Sequence, residues 1–279
     1  MPKRPPDGSL FVPMRLLAGE PAYPVLPQTR DGSYWNLVAP YALASGVLAS
    51  RAQEQAALRY LLGHGSRFLG VVRAGAFSLY GHTSSSTGLD QVYGVNAARF
   101  LASLDEPDLL VLSLYGTLAA AMTRDTFVGG EASSLSPIGH AYYRSMYLPP
   151  NSVANAALLE TLRLLMVNEL PEGQGLQLAY ATPRAWLAPG KRIAVDRLPT
   201  GFGPLSYTLV SHPRSVSATI SVPRIGGHSL SLRLRLPGRA RIASVTVGGR
   251  PLHAFNAQTG TIDLTGRGAS LAVEVALAR

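Results

Sequence analysis

The stretch Asn151-Ser-Val-Ala-Asn-Ala-Ala-Leu-Leu-Glu160-Thr-Leu-Arg-Leu-Leu-Met-Val-Asn-Glu-Leu170-Pro-Glu-Gly-Gln-Gly-Leu-Gln-Leu-Ala-Tyr180-Ala181 decides the fold, because the spacing of its apolar residues changes halfway along. Up to Asn168 they recur at helical spacing, behind Asn151 or Ser152 as a cap and ahead of Pro171 as a stop. From Leu176 they alternate, as in a strand with one wet face. Upstream, further helical runs are expected over Asn36–Ser50 and Gln53–Leu62, the second stopping at Gly63-His64-Gly65, and then from about Leu89 to Leu104. Asp105-Glu-Pro-Asp108 starts another that reaches about Met122, with Pro107 in its first turn and acids at the positive end of the helix dipole. Thr123–Pro150 reads as a long loop with Gly129-Gly130-Glu131 near its start, and a loop of that length is functional or disordered. Phe127, Tyr142, Tyr143 and Tyr147 argue for order.

Downstream, eight short strands are expected: Leu176–Ala181, Lys191–Val195, Pro204–Val210, Ser215–Val222, Ser229–Leu236, Ala243–Val247, Thr261–Leu264 and Ser270–Leu277. Gly226-Gly227, Pro237-Gly238 and Gly248-Gly249 provide turns. That spacing predicts an antiparallel β-sandwich. The chain therefore reads as an α+β multidomain protein with an extended segment over 1–30, a helical domain over 31–170 and a β-sandwich domain over 171–279.

Composition agrees with a folded chain. Its 279 residues are 47% hydrophobic and 15% charged, enough for sizeable cores and unlike a disordered polymer. No cysteine occurs, which excludes disulfides, thiolate metal sites and cysteine nucleophiles together. The basic start Met1-Pro-Lys-Arg-Pro-Pro-Asp-Gly8 leads into prolines instead of an apolar run, so no signal peptide and a cytoplasmic location are expected unless the chain is a fragment. No stretch of about 18 residues lacks both charges and helix breakers, so no membrane span is expected. Residues 1–170 hold 12 Lys and Arg against 12 Asp and Glu, whereas 171–279 hold 13 against 4, so the net +9 falls entirely in the strand-rich part. That part could track an acidic polymer. Arg233 and Arg235, alternating with Leu232, Leu234 and Leu236, read more simply as the wet face of a strand. No nucleic-acid fold signature accompanies the charge.

The chemistry concentrates before residue 150. Arg30-Asp31-Gly-Ser-Tyr34-Trp35-Asn36 puts a carboxylate, an amide and aromatic rings at the mouth of an apolar helix, the equipment of a sugar site: flat rings stack on pyranose faces while acids and amides bond hydroxyls. Asp31 is the first candidate for catalysis, although an acid before a helix also serves as a cap. Glu131 is the second, on a loop where two glycines allow close backbone approach to a ligand. Asp90, followed by Gln91 and Tyr93, can bind a hydroxyl or simply face a helix dipole. His82 and Tyr142 fall in candidate loops. Tyr41 either joins the stacking platform of Tyr34 and Trp35 or packs in the core. Trp186 and Phe202 read as anchors of the sandwich, with a separate sugar-binding surface as the alternative. No histidine pair has metal-ligand spacing, no serine sits in a nucleophile elbow, and Gly129-Gly130 does not lead into a phosphate-loop lysine; no metal or cofactor is expected.

Four segments in order, Asp31-Gly-Ser-Tyr-Trp-Asn36, Leu114-Tyr-Gly-Thr-Leu118 with the Gly129-Gly-Glu131 loop, Tyr147-Leu-Pro-Pro-Asn-Ser152 and Pro199-Thr-Gly-Phe-Gly-Pro-Leu-Ser206, make the chain resemble the six-hairpin glycosidases, the (α/α)6-barrel superfamily. The resemblance covers the second half of the barrel, as partial helical hairpins, plus the trailing sandwich. It implies a glycoside hydrolase acting on O-glycosyl bonds of an oligosaccharide or polysaccharide, with Asp31 and Glu131 as the catalytic carboxylates. Tyr34, Trp35, Asn36, His82, Asp90, Tyr93 and Tyr142 would line the sugar site, with no nucleic-acid or membrane partner. The alternative it carries is a non-catalytic, carbohydrate-binding or partner-dependent fragment, completed by another chain that supplies the rest of the barrel.

Overall fold

A computed structural model describes residues 6–12, 39–63, 67–68, 71–72, 87–89, 91–138 and 141–278. The fold is mixed α+β, and the chain divides into two compact units, Met1–Leu162 and Arg163–Arg279.

In the first unit, residues 39–44 are helical and are followed by α1 (Arg51–Gly63). Two short paired strands, β1 (Arg67–Phe68) and β2 (Val71–Val72), and β3 (Thr87–Leu89) come next. The expected helix from Leu89 is shorter than its apolar pattern suggested: a 3₁₀ turn over Gln91–Tyr93 leads into α2 (Gly94–Ser103), because Thr87–Leu89 is drawn into a sheet. α3 (Pro107–Ala120) has Pro107 in its first turn as expected. One core joins these helices. Ala57, Tyr60 and Leu61 on α1, Phe100 on α2 and the nearby Leu104 bury one helical face each against Leu10, Phe11 and Leu43. The Leu10 N–H donates to the Ala56 carbonyl at 3.0 Å, which fastens the N-terminal segment along α1.

The long loop expected over Thr123–Pro150 is largely a β-hairpin. Here β4 (Ala132–Ile138) pairs antiparallel with β5 (Ala141–Tyr147), and β3 adds to the other edge of β4. The serines and Pro137 of β4 give it little strand character by themselves. Its aromatic partner strand Ala-Tyr-Tyr-Arg-Ser-Met-Tyr supplies the pairing that local propensity lacks. α4 (Ser152–Met166) follows, with Asn151 as its cap: the Ala154 N–H donates to Asn151 Oδ1 at 3.0 Å. The helix stops two residues before its expected end. β6 (Val167–Glu169) leaves the helix to enter a sheet, and fully buried Val167 pairs with Leu178.

All eight expected strands of the second unit form, as β7 (Gly175–Leu178), β8 (Arg192–Leu198), β9 (Leu205–Ser211), β10 (Ser215–Ser221), β11 (Ser229–Arg233), β12 (Arg241–Val247), β15 (Thr261–Asp263) and β16 (Ser270–Ala278). Two more, β13 (Arg250–Leu252) and β14 (Phe255–Asn256), lie between β12 and β15. They build a six-stranded sheet, β13-β12-β16-β10-β9-β8, and a five-stranded one, β14-β15-β11-β7-β6. Register lines up the inward residues: Leu209, Ala218, Val273 and Val247 form one row across four strands of the larger sheet, and Ile262, Leu232, Leu178 and Val167 one across the smaller. Both rows enter one core, in which each fully buried aliphatic contributes about 1.5–3 kcal/mol.

Two expectations fail here. The sandwich is not wholly antiparallel: β7 and β11 run parallel, because the chain leaves for the other sheet after β7 and returns in the same direction. Arg235 does not lie on a wet face either. It is only 4% exposed, past the end of β11, and its guanidinium donates to the Ala181 and Thr182 carbonyls at 3.3 and 3.1 Å. Arg233 sits over the Tyr180 ring, 5.3 Å from its centroid.

Candidate functional site

Glu131 immediately precedes β4, and the backbone around it is tied down by several hydrogen bonds. The Gly129 N–H donates to Asn155 Oδ1 at 2.8 Å, and its carbonyl accepts from the Asn151 N–H at 2.8 Å, so the first turn of α4 clamps this residue. The Gly130 carbonyl accepts from Gln91 Nε2 at 2.7 Å, and the Glu131 N–H donates to the Tyr147 carbonyl at 2.8 Å. Asn155 Nδ2 also donates to the Phe127 carbonyl at 3.3 Å.

Packing by itself demands glycine at both positions. A Cβ at Gly130 would lie 2.5 Å from the Tyr147 carbonyl oxygen, and one at Gly129 would lie 2.9 Å from both the Ala154 Cβ and Asn155 Oδ1. Both are required by close packing of the hairpin and α4. The consequence for Glu131 is a fixed origin for its side chain. It is half-buried, and its carboxylate has no hydrogen-bond or ion-pair partner among the described residues.

Gln91 is the residue that sequence reasoning passed over. Only 2% exposed, it donates through Nε2 to the carbonyls of both Gly130 and Ala121, the latter at 3.3 Å. The 3₁₀ turn that carries Tyr93 is thereby fastened to the Glu131 loop. The available signal was a lone amide between Asp90 and Tyr93, which has no local motif. Asn155 was equally silent, as an amide in the first turn of a helix reads as surface.

Of the proposed site residues, Glu131, Tyr93 and Tyr142 belong to neighbouring elements. Tyr93 ends the turn held by Gln91 and is 38% exposed, while Tyr142 lies on β5 opposite Pro137, at the other end of the hairpin from Glu131, and is not brought to it. Asp31, Tyr34, Trp35, Asn36, His82 and Asp90 lie outside the described residues. Tyr41 is 61% exposed, so Leu43, not Tyr41, contributes to the core from that helix. Among the described residues no group of three or more His, Asp or Glu is placed to hold a metal, and no helix is long and apolar enough to cross a membrane.

A carboxylate on an anchored backbone can exchange a proton with, or hydrogen-bond, a sugar hydroxyl. No family model and no curated protein matches the chain. Among solved structures it is similar to a GH127 β-L-arabinofuranosidase from Geobacillus stearothermophilus T6, with 16% identity and a TM-score of 0.45 over 88% of this chain and 41% of that one. A structure described as a glycoside hydrolase has 13% identity and a TM-score of 0.47 over 87% of this chain and 46% of its own. A GH127 β-arabinofuranosidase has 15% identity and a TM-score of 0.45 over 87% of this chain and 42% of its own. The chain thus spans less than half the length of each of these glycoside hydrolases.

Proposed function

We propose that the chain is a carbohydrate-active protein of the glycoside-hydrolase type, its helical part over 31–170 carrying half of an (α/α)6-type barrel and its part over 171–279 a trailing sandwich. Glu131 serves as one of two carboxylates at the scissile bond. The observation that carries this reading is the clamping of Gly129, Gly130 and the Glu131 N–H around a carboxylate that has no partner among the described residues. An unpaired carboxylate carried on a fixed backbone is what a general acid, base or nucleophile needs. Glycoside hydrolysis takes a second carboxyl group across the anomeric carbon, and Asp31 is the residue assigned to it.

A screen of chromogenic aryl glycosides and oligosaccharides tests the proposal. Glu131→Gln and Asp31→Asn are each expected to lower turnover by about two orders of magnitude or more with the thermal midpoint nearly intact. Wild-type hydrolysis by the double variant would remove both residues from the mechanism.

The second reading, a fragment completed by another chain, has its own support. On α3, Leu112 and Tyr115 stand one turn apart and are 44% and 46% exposed, an apolar stripe suited to a further helix. Leu112→Glu should leave a self-sufficient enzyme unaffected and abolish assembly with a complementing chain.

A further inference from the structure

We infer that the second unit carries a binding site for an acidic sugar, a pyranose bearing a carboxylate, in a cleft beside the edge strand β8. This goes beyond the Glu131 reading and does not rest on it. The cleft has a volume of about 330 Å³ and is lined by Trp186, Lys191 and Arg192 over an apolar floor that includes Met166 and Ile193. That volume lies at the low end of the range for ligand sites, about 300–1,000 Å³, which suits one or two sugar rings.

Its walls are held before any ligand arrives. Trp186 belongs to a 3₁₀ turn over Arg184–Leu187, closed by the Trp186 N–H on the Pro183 carbonyl at 2.9 Å. The Lys191 N–H returns to the Ala188 carbonyl at 3.0 Å, and the Lys191 carbonyl accepts from the Ser211 N–H at 2.9 Å. Trp186 is half-buried and packs on the sandwich core, so its ring cannot turn freely. Arg192 contributes its backbone to the rim, because its guanidinium donates from Nη2 to Thr208 Oγ1 at 3.3 Å on the outward face of the sheet.

The polar groups that remain specify the ligand. Neither the Trp186 indole N–H nor the Lys191 ammonium has a partner among the described residues. A flat indole with a free N–H suits the face and hydroxyls of a pyranose. The exposed Lys191 ammonium suits a carboxylate, and the strand-rich part of the chain carries the entire net +9, which steers anions towards it. A neutral sugar would leave the Lys191 ammonium unused, and a simple polyanion would leave the ring unused.

Calorimetric titration of the full chain with trigalacturonate, its methyl ester and polyglutamate tests the assignment. Saturable binding of the acid is expected, weakened at least tenfold in the ester, in Trp186→Ala and in Lys191→Glu, and weakened by added salt. Lys191→Arg should stay within a few-fold of wild type, and Glu131→Gln should bind as wild type, which separates this site from the Glu131 one. Lys191 is exposed, so Lys191→Glu tests the site without disturbing the fold. Absence of saturable binding by the acid, equal affinity for the ester or polyglutamate, or indifference to both the Trp186 and Lys191 substitutions would overturn the proposal.

Discussion

Asn155 holds Gly129 through a single 2.8 Å hydrogen bond from the glycine N–H to its Oδ1, and this bond joins the first turn of α4 to the loop that presents Glu131. Asn155→Ala leaves that N–H without its acceptor in a partly buried place. A loss of about 1–3 kcal/mol is expected, readable as a lower urea midpoint. If Glu131 acts in hydrolysis, turnover should fall more than the Michaelis constant rises, because the carboxylate loses its fixed origin.

Gly130→Ala tests the packing below the same residue. The new Cβ would meet the Tyr147 carbonyl oxygen at 2.5 Å, a backbone atom that cannot step aside without separating β4 from β5. Destabilisation of about 1–3 kcal/mol or more is expected in chemical unfolding. Gly94→Ala, where nothing lies within 4 Å, should change stability by no more than about 1 kcal/mol.

Arg235→Met removes a buried guanidinium and orphans two carbonyls, those of Ala181 and Thr182. A loss of about 2–3 kcal/mol is expected, whereas a wet-face arginine would be replaceable at almost no cost. The midpoint of thermal unfolding distinguishes the two.

Tyr60 gives the first unit an alkaline limit. Burial, and secondarily the negative charge of Asp7, push its phenol up to about 12. Its ring packs against Phe11, 5.1 Å between centroids. The folded state therefore holds a proton that the unfolded chain releases near pH 10, so this contribution to stability is complete below about pH 10 and declines as pH rises towards 12. Tyr207 in the second unit is raised in the same direction by burial, and its hydroxyl donates to the Met166 carbonyl at 3.0 Å. Following phenolate absorbance alongside circular dichroism, both tyrosines should ionise only as their units unfold. Tyr60→Phe should flatten the alkaline decline for the first unit.

The strands were legible because alternation is a local property: the inward residues of β9, β10 and β16 sit at every second position, and burial follows that pattern. Helix termini were legible where a residue acts on its own backbone, as Asn151 and Pro107 do. β4 was not legible. Its Ser and Pro residues take strand geometry only because β3 and β5 flank them, and nothing within the segment reports its neighbours. Of the site, Glu131 stood out by residue type, while Gln91 and Asn155, which fasten it, did not.

The amino-acid sequence alone determined the passage from helical to alternating periodicity, the helix stops, the strand-forming runs and the concentration of positive charge after residue 170, since each depends on residues a few positions apart. Tertiary structure decided which groups meet across long separations. It set Gln91 under Gly130, buried Arg235 against Ala181 and Thr182, made β7 and β11 parallel, and made Gly129 and Gly130 a packing requirement. Those outcomes depend on register and close packing between distant segments, which exist only once the chain has folded.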